Sequence, residues 1–575
     1  MLYQSTRSDF QASDLQAVLQ GLAPDGGLFV DPLLPRRGDF DWAGCLEKPA
    51  LGMAAQILAY LLPGFSDMPL LVRQAYVGKF ESEELTPLRA VGDRWVLELF
   101  RGPTAAFKDV ALSMLPRLIT AAREQTGCAR EIAVLTATSG DTGKAALEGF
   151  HDVPGTRILV FYPARGVSPI QRAQMATQEG GNVCVCAVEG NFDDCQRAVK
   201  QAFEALGSQE QAAGVQLSSA NSINIGRLAP QVVYYFIAYA RLMQAGAVRR
   251  GDPVDFVVPT GNFGDILAGY FAKCLGLPVG RLVCASNANR VLTDFLETGV
   301  YDQRRPFLRT ASPSMDILVS SNLERLLFYA AQGDTQQVRA WMQALERQGC
   351  YRVSGAPLRR IQETFAAGCC DEARTREAIR SVWARHRYLL DPHSAVAWAV
   401  SEEYAQKEGA RRPLVVLSTA SPYKFPAAAL EALGGDCAGD EFAQMERLAC
   451  LSGVPIPRNL RIAFPGRRLS PTFCKSCIRR NDSCASYPPP PRPIWARASI
   501  ASASPGNAIT KWNGCPGARG CASKAAPSPI AGRITWPTPP TGRCCKRRAW
   551  LRSRCCCAFC ARKFPSPGGW APPPR

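Results

Sequence analysis

Short, continuous runs of apolar residues alternate with longer segments of mixed polarity along the first 460 residues of the chain. The run at 131–138 is dominated by Ala, Val, Ile, Leu and Thr, which is typical of a strand covered on both faces. The same pattern predicts five further strands, at 157–162, 182–188, 254–259, 281–285 and 413–417. Amphipathic segments usually follow these runs, so the chain is predicted to form βα units and largely parallel sheets.

Size and composition agree with this interpretation and exclude others. A chain of 575 residues can form two or three domains, and 47% hydrophobic residues can fill a sizeable core. No apolar run approaches the roughly 18 residues that mark a membrane-spanning helix. The first thirty residues are polar and charged and do not form the basic, apolar and cleavage regions of a signal peptide. We therefore expect no membrane partner and a cytoplasmic location.

The net charge of +18 is confined to the end of the chain. Residues 466–575 contain 20 Lys and Arg and a single acid, Asp482, whereas the preceding 465 residues contain 47 basic and 48 acidic residues. The same segment holds 11 of the 23 cysteines and 18 of the 44 prolines, without sustained helical or strand periodicity. We place a boundary at 460–466 and expect residues 461–575 to be a disordered, low-complexity tail.

Three interpretations of this tail compete. A zinc module is suggested by two Cys-x-x-Cys pairs, at 474–477 and 557–560, but they are too far apart for the usual compact spacing of ligands. A basic arm for nucleic acid fits the charge, although such arms are more often Lys-rich and interleaved with aromatic residues. We favour a third interpretation, in which a GC-rich gene is read out of frame, and so expect neither a metal site nor a nucleic-acid partner.

Polar or glycine-rich turns follow three of the predicted strands, where the ligands of parallel sheets gather. These turns are Ser-Gly-Asp-Thr-Gly at 139–143, Gly-Asn-Phe-Gly-Asp at 261–265 and Ser-Thr-Ala-Ser-Pro-Tyr-Lys-Phe at 418–425. Glycines before a helix N-terminus let backbone N–H groups approach a phosphate, and a hydroxyl at a strand end can hydrogen-bond a ring nitrogen. Each turn also fits ordinary capping, so none is decisive alone.

Residues 102–109, Gly-Pro-Thr-Ala-Ala-Phe-Lys-Asp, surround Lys108 like a lysine that forms a Schiff base with pyridoxal phosphate. Taken in order, this octet and the three strand ends resemble threonine synthase. The resemblance covers roughly residues 1–455 and includes further segments at 3–7, 20–28, 98–100, 220–227 and 391–396. Arg101 and Ala105 depart from the residues that are common in that family, and the tail has no counterpart in it.

The resemblance implies a fold type II pyridoxal-phosphate enzyme, akin to the tryptophan synthase β subunit, with two α/β domains and mainly parallel sheets. We expect an N-terminal region at 1–95 and a catalytic α/β region of two interleaved subdomains at 96–460. The implied cofactor is pyridoxal 5'-phosphate. The implied reaction converts O-phospho-L-homoserine and water into L-threonine and phosphate, which is the last step of threonine biosynthesis.

The resemblance also implies roles for individual residues. Lys108 would hold the cofactor and then serve as acid and base. The other cofactor-binding residues would be Gly261, Asn262, Phe263, Gly264 and Asp265 at the phosphate, and Thr419 at the pyridine nitrogen. The substrate-binding residues would be Ser139, Asp141 and Thr142 at its amino-acid end, and Lys144, Asn224 and Arg227 at its phosphate. For the last three the alternative stays open of a solvated lysine and a structural Asn and Arg.

Two other functions remain open from the sequence. A threonine dehydratase or a cysteine synthase-like lyase would use a similar lysine, phosphate cup and hydroxyl, but Asp141 stands where those relatives usually carry Asn. A protein of a different class could bind nucleic acid through the basic tail. His393, one of only three histidines, is expected in a structural turn and not in catalysis.

Overall fold

The computed structural model describes residues 1–165, 167–190, 194–195, 197–199, 201–202, 214–409 and 412–462. All but the first two residues of the tail expected at 461–575 therefore lie outside the described residues. The strands are β1 (Leu2–Ser5), β2 (Gln11–Ser13), β3 (Phe29–Val30), β4 (Leu88–Val91), β5 (Arg94–Glu98), β6 (Glu131–Ala137), β7 (Thr156–Pro163), β8 (Val183–Val188), β9 (Val215–Ser219), β10 (Val254–Pro259), β11 (Val279–Ser286), β12 (Val300–Asp302), β13 (Cys350–Arg352), β14 (Phe365–Cys369) and β15 (Leu414–Ser418).

Helices connect and cover these strands. They are α1 (Asp14–Gln20), α2 (Trp42–Cys45), α3 (Ala50–Leu61), α4 (Met68–Tyr76), α5 (Lys108–Gln125), α6 (Asp141–Phe150), α7 (Pro169–Ala176), α8 (Ile225–Leu228), α9 (Val232–Gln244), α10 (Gly264–Cys274), α11 (Val291–Thr298), α12 (Leu323–Ala330), α13 (Thr335–Gln348), α14 (Gly355–Thr364), α15 (Glu372–His386), α16 (Pro392–Glu408), α17 (Pro426–Ala432), α18 (Glu441–Ser452) and α19 (Arg458–Ile462). Short 3₁₀ turns lie at Leu34–Arg36, Ala229–Gln231, Pro313–Met315 and Pro422–Lys424.

Two sheets organise the described chain, and they confirm the predicted α/β class. The large sheet has the strand order β14-β11-β10-β15-β5-β4, and its neighbouring strands are parallel except for the pair β4 and β5. The small sheet has the order β8-β7-β6-β9 and is parallel throughout. All six predicted strands lie in these sheets.

The two sheets are interleaved in sequence. The chain leaves the large sheet after β5, builds all four strands of the small sheet, and returns to the large sheet at β10. Strand β5 runs through residues 95 and 96, where the sequence predicts a boundary, so residues on both sides of that boundary belong to the large sheet.

The N-terminal region is fixed to the rest by a small antiparallel sheet and a buried helix. The sheet has the order β2-β1-β3, and Arg7, between β1 and β2, donates two hydrogen bonds to Glu324 of α12, at 2.8 and 2.7 Å. Helix α9 is buried along residues 232–240. Its Tyr235 ring packs on Phe256 of β10, and its Phe236 ring packs on Phe40. This apolar helix thus joins the N-terminal region to the large sheet.

No helix of the described residues is both long enough and apolar enough to span a membrane.

Candidate functional site

The principal cleft opens where strands of both sheets end at their carboxyl termini. Its empty space is about 900 Å³, a figure that counts the part open to solvent. Loops after β6, β10 and β15 meet there, as expected for parallel sheets. Its lining includes most of the predicted site residues: Lys108, Ser139, Asp141, Thr142, Arg227, Gly261, Asn262, Gly264, Asp265 and Thr419.

Lys108 stands at the first position of α5, on a loop that is fastened to the segment after β15. The N–H of Phe107 donates to the carbonyl of Thr419 at 2.8 Å, and the N–H of Ser421 donates to the carbonyl of Ala105 at 3.1 Å. The lysine is buried, with 8% of its surface exposed. Burial lowers the pKa of Lys108, an effect opposed by nearby Asp141, so the neutral amine is more favoured here than it is in water.

Asp109 holds the lysine loop in its tight turn. Its carboxylate accepts hydrogen bonds from the N–H of Thr104 at 2.9 Å, from the Thr104 hydroxyl, and from the N–H of Ala106 at 3.4 Å. Ala105, between them, has a positive φ of 57°. A larger side chain at this strained position would cost more, which gives a physical reason for the small residue there. Burial raises the pKa of Asp109 to about 6.

Asp141 starts α6 and lies opposite Lys108. Its Oδ2 is 3.5 Å from the Lys108 Nζ and accepts a hydrogen bond from the Ser314 hydroxyl at 3.3 Å. Its Oδ1 contacts the ammonium of Lys424 and accepts a hydrogen bond from the Gln171 amide at 2.8 Å. The net result is a pKa of Asp141 held far below its usual range, chiefly by Lys424 and then Lys108 against the effect of burial.

The turn at 261–265 forms a cup at the N-terminus of α10. This helix begins at Gly264 without a side-chain cap from Phe263, so its N-terminus attracts an anion, although the N–H of Ile266 already donates to Asp265. Gly261 lies so close to the opposite loop that an added Cβ would stand 2.6 Å from the Ser314 carbonyl oxygen. The cup is therefore closed tightly by the loop at 313–317.

Two residues of the cup, Phe263 and Asp265, do not have side chains suited to binding a phosphate. Phe263 has a positive φ of 62°, and its ring packs on Phe365 in the core with centroids 5.5 Å apart, so its side chain does not line the cleft. Asp265 faces the cleft, and its carboxylate accepts a hydrogen bond from the N–H of Ile266 at 2.9 Å. Burial raises the pKa of Asp265 to about 7.

Arg227 is a buried cation that lines the cleft. Its guanidinium donates to the Ala220 carbonyl at 2.6 Å and to the Thr142 hydroxyl at 3.5 Å. The buried Nε has no hydrogen-bond partner among the described residues. Burial lowers the pKa of Arg227 to about 10. A guanidinium with unused hydrogen-bonding capacity suits a phosphate or carboxylate.

Two predicted substrate residues are not brought to the cleft. The Asn224 side chain is fully buried and accepts a hydrogen bond from Gly226 N–H while donating to the carbonyls of Val18 and Ser219, so it acts as a helix cap. The Lys144 Nζ contacts Glu148 at 2.9 Å and the amide oxygen of Gln178, away from the cleft lining. Both side chains serve the local structure because nearer partners already satisfy their polar groups.

Several lining residues were not among the predicted site residues. The cleft is also lined by Asn221, Ser222, Gln231, His393 and the loop Ser314, Met315, Asp316 and Ile317. Residues 220–227 and 391–396 belonged to segments that resemble the family, which was the available signal. The loop at 313–317 follows no predicted strand, so the pattern of polarity gave no reason to choose it.

His393 is held in place by hydrogen bonds on both ring nitrogens. Its Nδ1 lies 2.7 Å from Asp391 Oδ1, and its Nε2 accepts a hydrogen bond from the N–H of Ser314 at 3.2 Å. These contacts agree with the structural role expected from the sequence, although the ring borders the cleft.

Within the described residues, no group of three or more His, Cys, Asp or Glu side chains is arranged to hold a metal ion. The features that are present fit pyridoxal phosphate instead: a buried lysine, an uncapped helix N-terminus for its phosphate, and the hydroxyl of Thr419 beside the same cleft.

Residues 81–420 match the family model described as "Pyridoxal-phosphate dependent enzyme", so the chain belongs to that class and its cofactor is pyridoxal 5'-phosphate. Within this class it belongs to the threonine synthase family, a family of lyases. Residues 394–456 match the model "Threonine synthase, C-terminal". Threonine synthase of Saccharomyces cerevisiae is 37% identical, over 76% of this chain and 89% of its own. Threonine synthase of Pseudomonas aeruginosa is 39% identical, over 74% and 89%.

Solved structures agree with this assignment. A pyridoxal-phosphate-bound threonine synthase from Brucella melitensis has a TM-score of 0.69 and 40% identity, covering 78% of this chain and 95% of its own. The yeast threonine synthase structure also has a TM-score of 0.69, with 35% identity over 80% of this chain and 97% of its own. Threonine synthase-like 1 of Pongo abelii is 40% identical over 73% of this chain. The match spans only 58% of the length of that relative. The predicted family, fold and cofactor are confirmed.

Proposed function

We propose that this protein is a threonine synthase, which converts O-phospho-L-homoserine and water into L-threonine and phosphate. The observation that supports this most directly is the buried Lys108, which faces Asp141 and the cup at 261–265 across one cleft. The same proposal assigns the protein to threonine biosynthesis in the cytoplasm, with a small molecule as its substrate.

One set of residues in the cleft would bind the cofactor, and another would bind the substrate. The N-terminus of α10, with Gly261 and Gly264, would hold the cofactor phosphate, since an uncapped helix N-terminus favours an anion. The Thr419 hydroxyl would form a hydrogen bond with the pyridine nitrogen of the cofactor. Ser139 and Thr142 would contact the amino-acid end of the substrate, and Arg227 would bind its phosphate through the guanidinium.

When it is bound, pyridoxal phosphate supplies an electron sink, which makes the Cα proton and then a Cβ proton of the substrate removable. Lys108 is suited to take the Cα proton, because burial favours its neutral form. Removal of a Cβ proton accompanies departure of phosphate from Cγ. A proton then returns to Cγ, water adds at Cβ, and Cα regains its proton. One amine within reach of these carbons can carry each proton in turn.

The proposal is tested with the purified protein, Lys108→Ala and the control Lys273→Ala. Lys273 lies at the far end of α10, where its Nζ donates to the Gly280 carbonyl at 3.1 Å. We expect bound cofactor absorbance and phosphate release from O-phosphohomoserine in the wild type and the control. Lys108→Ala should lose the covalent cofactor band and at least about a thousandfold of the phosphate release. A wild type without the band, or an unchanged Lys108→Ala protein, would refute the proposal.

A further inference from the structure

One carboxylate in the cleft is shared by two buried lysines. Asp141 contacts Lys424 through Oδ1 and Lys108 through Oδ2, and the second distance is 3.5 Å. Lys424 has no exposed surface, whereas Lys108 borders the cleft. The Ser314 hydroxyl and the Gln171 amide occupy further positions around the same carboxylate. Asp141 is thus fully engaged by protein groups and bridges the two amines.

The lysine loop itself holds Lys424 in this place. Lys424 donates through Nζ to the Thr104 carbonyl at 3.1 Å, and Thr104 is in turn fixed by Asp109. Lys424 is also tied to the loop by the neighbouring bond from Ser421 to Ala105. Its ammonium therefore has a fixed position between the loop that carries Lys108 and the carboxylate that Lys108 faces.

The charges around the two amines do not balance if both are protonated. Lys108 is faced by Asp141 and Asp265 as acids and by Lys424 and Arg227 as cations, while Asp109 lies near Lys424. Asp265 is itself only partly ionised at neutral pH, because burial raises its pKa to about 7. A second buried ammonium that shares one carboxylate would be costly, so one of the two lysines should give up its proton.

We propose that Lys424 is a positioning residue that takes Asp141 as its own counter-ion and so leaves Lys108 neutral and ready to react with the cofactor. Lys424 keeps the charge because it has the closer contact with the carboxylate and a second acceptor at Thr104. This inference rests on the proposed function, in which Lys108 is the cofactor lysine. It gives Asp141 a role in setting the charge of Lys108 in addition to any contact with substrate.

The test measures the pH dependence of cofactor capture by the full chain and by Lys424→Met, a variant of similar length without the charge. The cofactor is first removed, and pyridoxal phosphate is then added across a range from about pH 6 to pH 10. The rate of capture is followed by absorbance, and its midpoint reports the proton affinity of Lys108. In Lys424→Met the Asp141 carboxylate acts on Lys108 alone, so the midpoint should rise by about one to three pH units.

Further variants separate this effect from a general disturbance of the fold. Asp141→Asn should lower the midpoint, since Lys108 then faces Lys424 and Arg227 without the carboxylate between them. Lys424→Arg keeps the charge and should keep the wild-type midpoint. Lys273→Met removes a partly buried lysine that donates to backbone carbonyls outside the cleft, and it should leave the midpoint unchanged. Opposite shifts in Lys424→Met and Asp141→Asn would not arise from loosened packing.

A folded Lys424→Met protein with the wild-type midpoint would overturn the inference. If circular dichroism shows that this variant does not fold, an unchanged midpoint in Asp141→Asn or a raised midpoint in Lys424→Arg overturns it equally. Labelling of Lys108 by an amine-reactive reagent, read by mass spectrometry, gives the same midpoint without the cofactor. A wild type that captures no cofactor would instead remove the proposed function.

Discussion

At the scale of single residues, the buried carboxylate of Asp265 is unusual because no cation forms an ion pair with it among the described residues. It accepts one hydrogen bond, from the N–H of Ile266, and burial raises its pKa from 3.8 to about 7. In the proposed function, a carboxylate that resists ionisation beside the cup at 261–265 reduces its repulsion of the cofactor phosphate. The cost of this arrangement should be visible in the stability of the protein.

We expect Asp265→Asn to stabilise the cofactor-free protein at high pH only. Below about pH 4 the side chain is protonated in the folded and unfolded chain, so the variant and the wild type should match. Between about pH 4 and pH 7 the unfolded chain releases the proton first, and wild-type stability therefore falls as pH rises. At about pH 8 the variant should be more stable by about 4 kcal/mol. Urea denaturation measures this difference, and a difference independent of pH would contradict the argument.

At the scale of elements, helices α5 and α6 set the distance between the Lys108 amine and the Asp141 carboxylate. Each begins with a functional residue, Lys108 in α5 and Asp141 in α6. The helices pack so closely that a Cβ on Gly149 of α6 would stand 2.0 Å from the Leu112 carbonyl oxygen of α5. This contact is with backbone, so a larger residue would have to separate the helices.

Gly149→Ala should therefore lower both stability and cofactor affinity. We expect about 1–3 kcal/mol of destabilisation, because overpacking here outweighs the better helix propensity of Ala. Gly52→Ala in α3 is the control, since the atoms nearest to its added Cβ belong to the side chains of Lys48, at 3.1 Å, and Pro49, at 3.4 Å, rather than to backbone. The control should change the midpoint of thermal unfolding little. Equal behaviour of the two variants would show that the close helix packing is not what positions the site.

How far the sequence predicts this architecture depends on what each segment has to bury. The six apolar runs were predicted to within two residues because a strand covered on both faces is apolar throughout. Strands β9 and β14 were not predicted, since Val-Gln-Leu-Ser-Ser contains polar residues and Phe-Ala-Ala-Gly-Cys contains residues with weak strand preference. These two segments form strands because they pair with β6 and β11, a tertiary contact that their own composition does not indicate.

In the site, too, residues that lie in a local motif could be predicted, and a residue whose role depends on tertiary contacts could not. Lys108 and the cup at 261–265 could be recognised because the motif itself marks them. The role of Lys424 could not, because it depends on two contacts with residues more than two hundred positions away, Asp141 and Thr104. Asn224 and Lys144 were predicted at the substrate because a polar residue near a motif looks available, whereas local partners occupy both side chains.

At the scale of the whole molecule, charge and catalysis are separated along the chain. Among the residues that the structure describes, those that line the cleft all lie before residue 421. They belong to the first 465 residues, which contain 47 basic and 48 acidic residues. The described chain continues to support the site until its end. Asn459 of α19 donates to the Gly102 carbonyl at 2.6 Å, and Leu460 is fully buried. The segment 453–462 therefore belongs to the structure that holds the lysine loop.

Two truncations should behave differently for this reason. A chain that ends after Ile462 keeps the Asn459 contact and the buried Leu460, so it should retain cofactor binding and phosphate release within about twofold of the full chain. A chain that ends after Ser452 loses both, together with the hydrogen bond from the Tyr423 hydroxyl to the Val454 carbonyl. It should lose at least about 2 kcal/mol of stability and bind cofactor more weakly.

Retention on heparin provides the companion measurement to these two truncations. Residues 466–575 carry 20 basic residues and one acid, so the full chain should bind the column in a salt-dependent manner and both truncations should not. If the chain ending at Ile462 releases phosphate but does not bind heparin, the proposed activity does not depend on the charge of the tail. Loss of phosphate release in a folded chain ending at Ile462 would contradict that separation, because it would mean that residues beyond 462 contribute to the cleft or to the loops that close it.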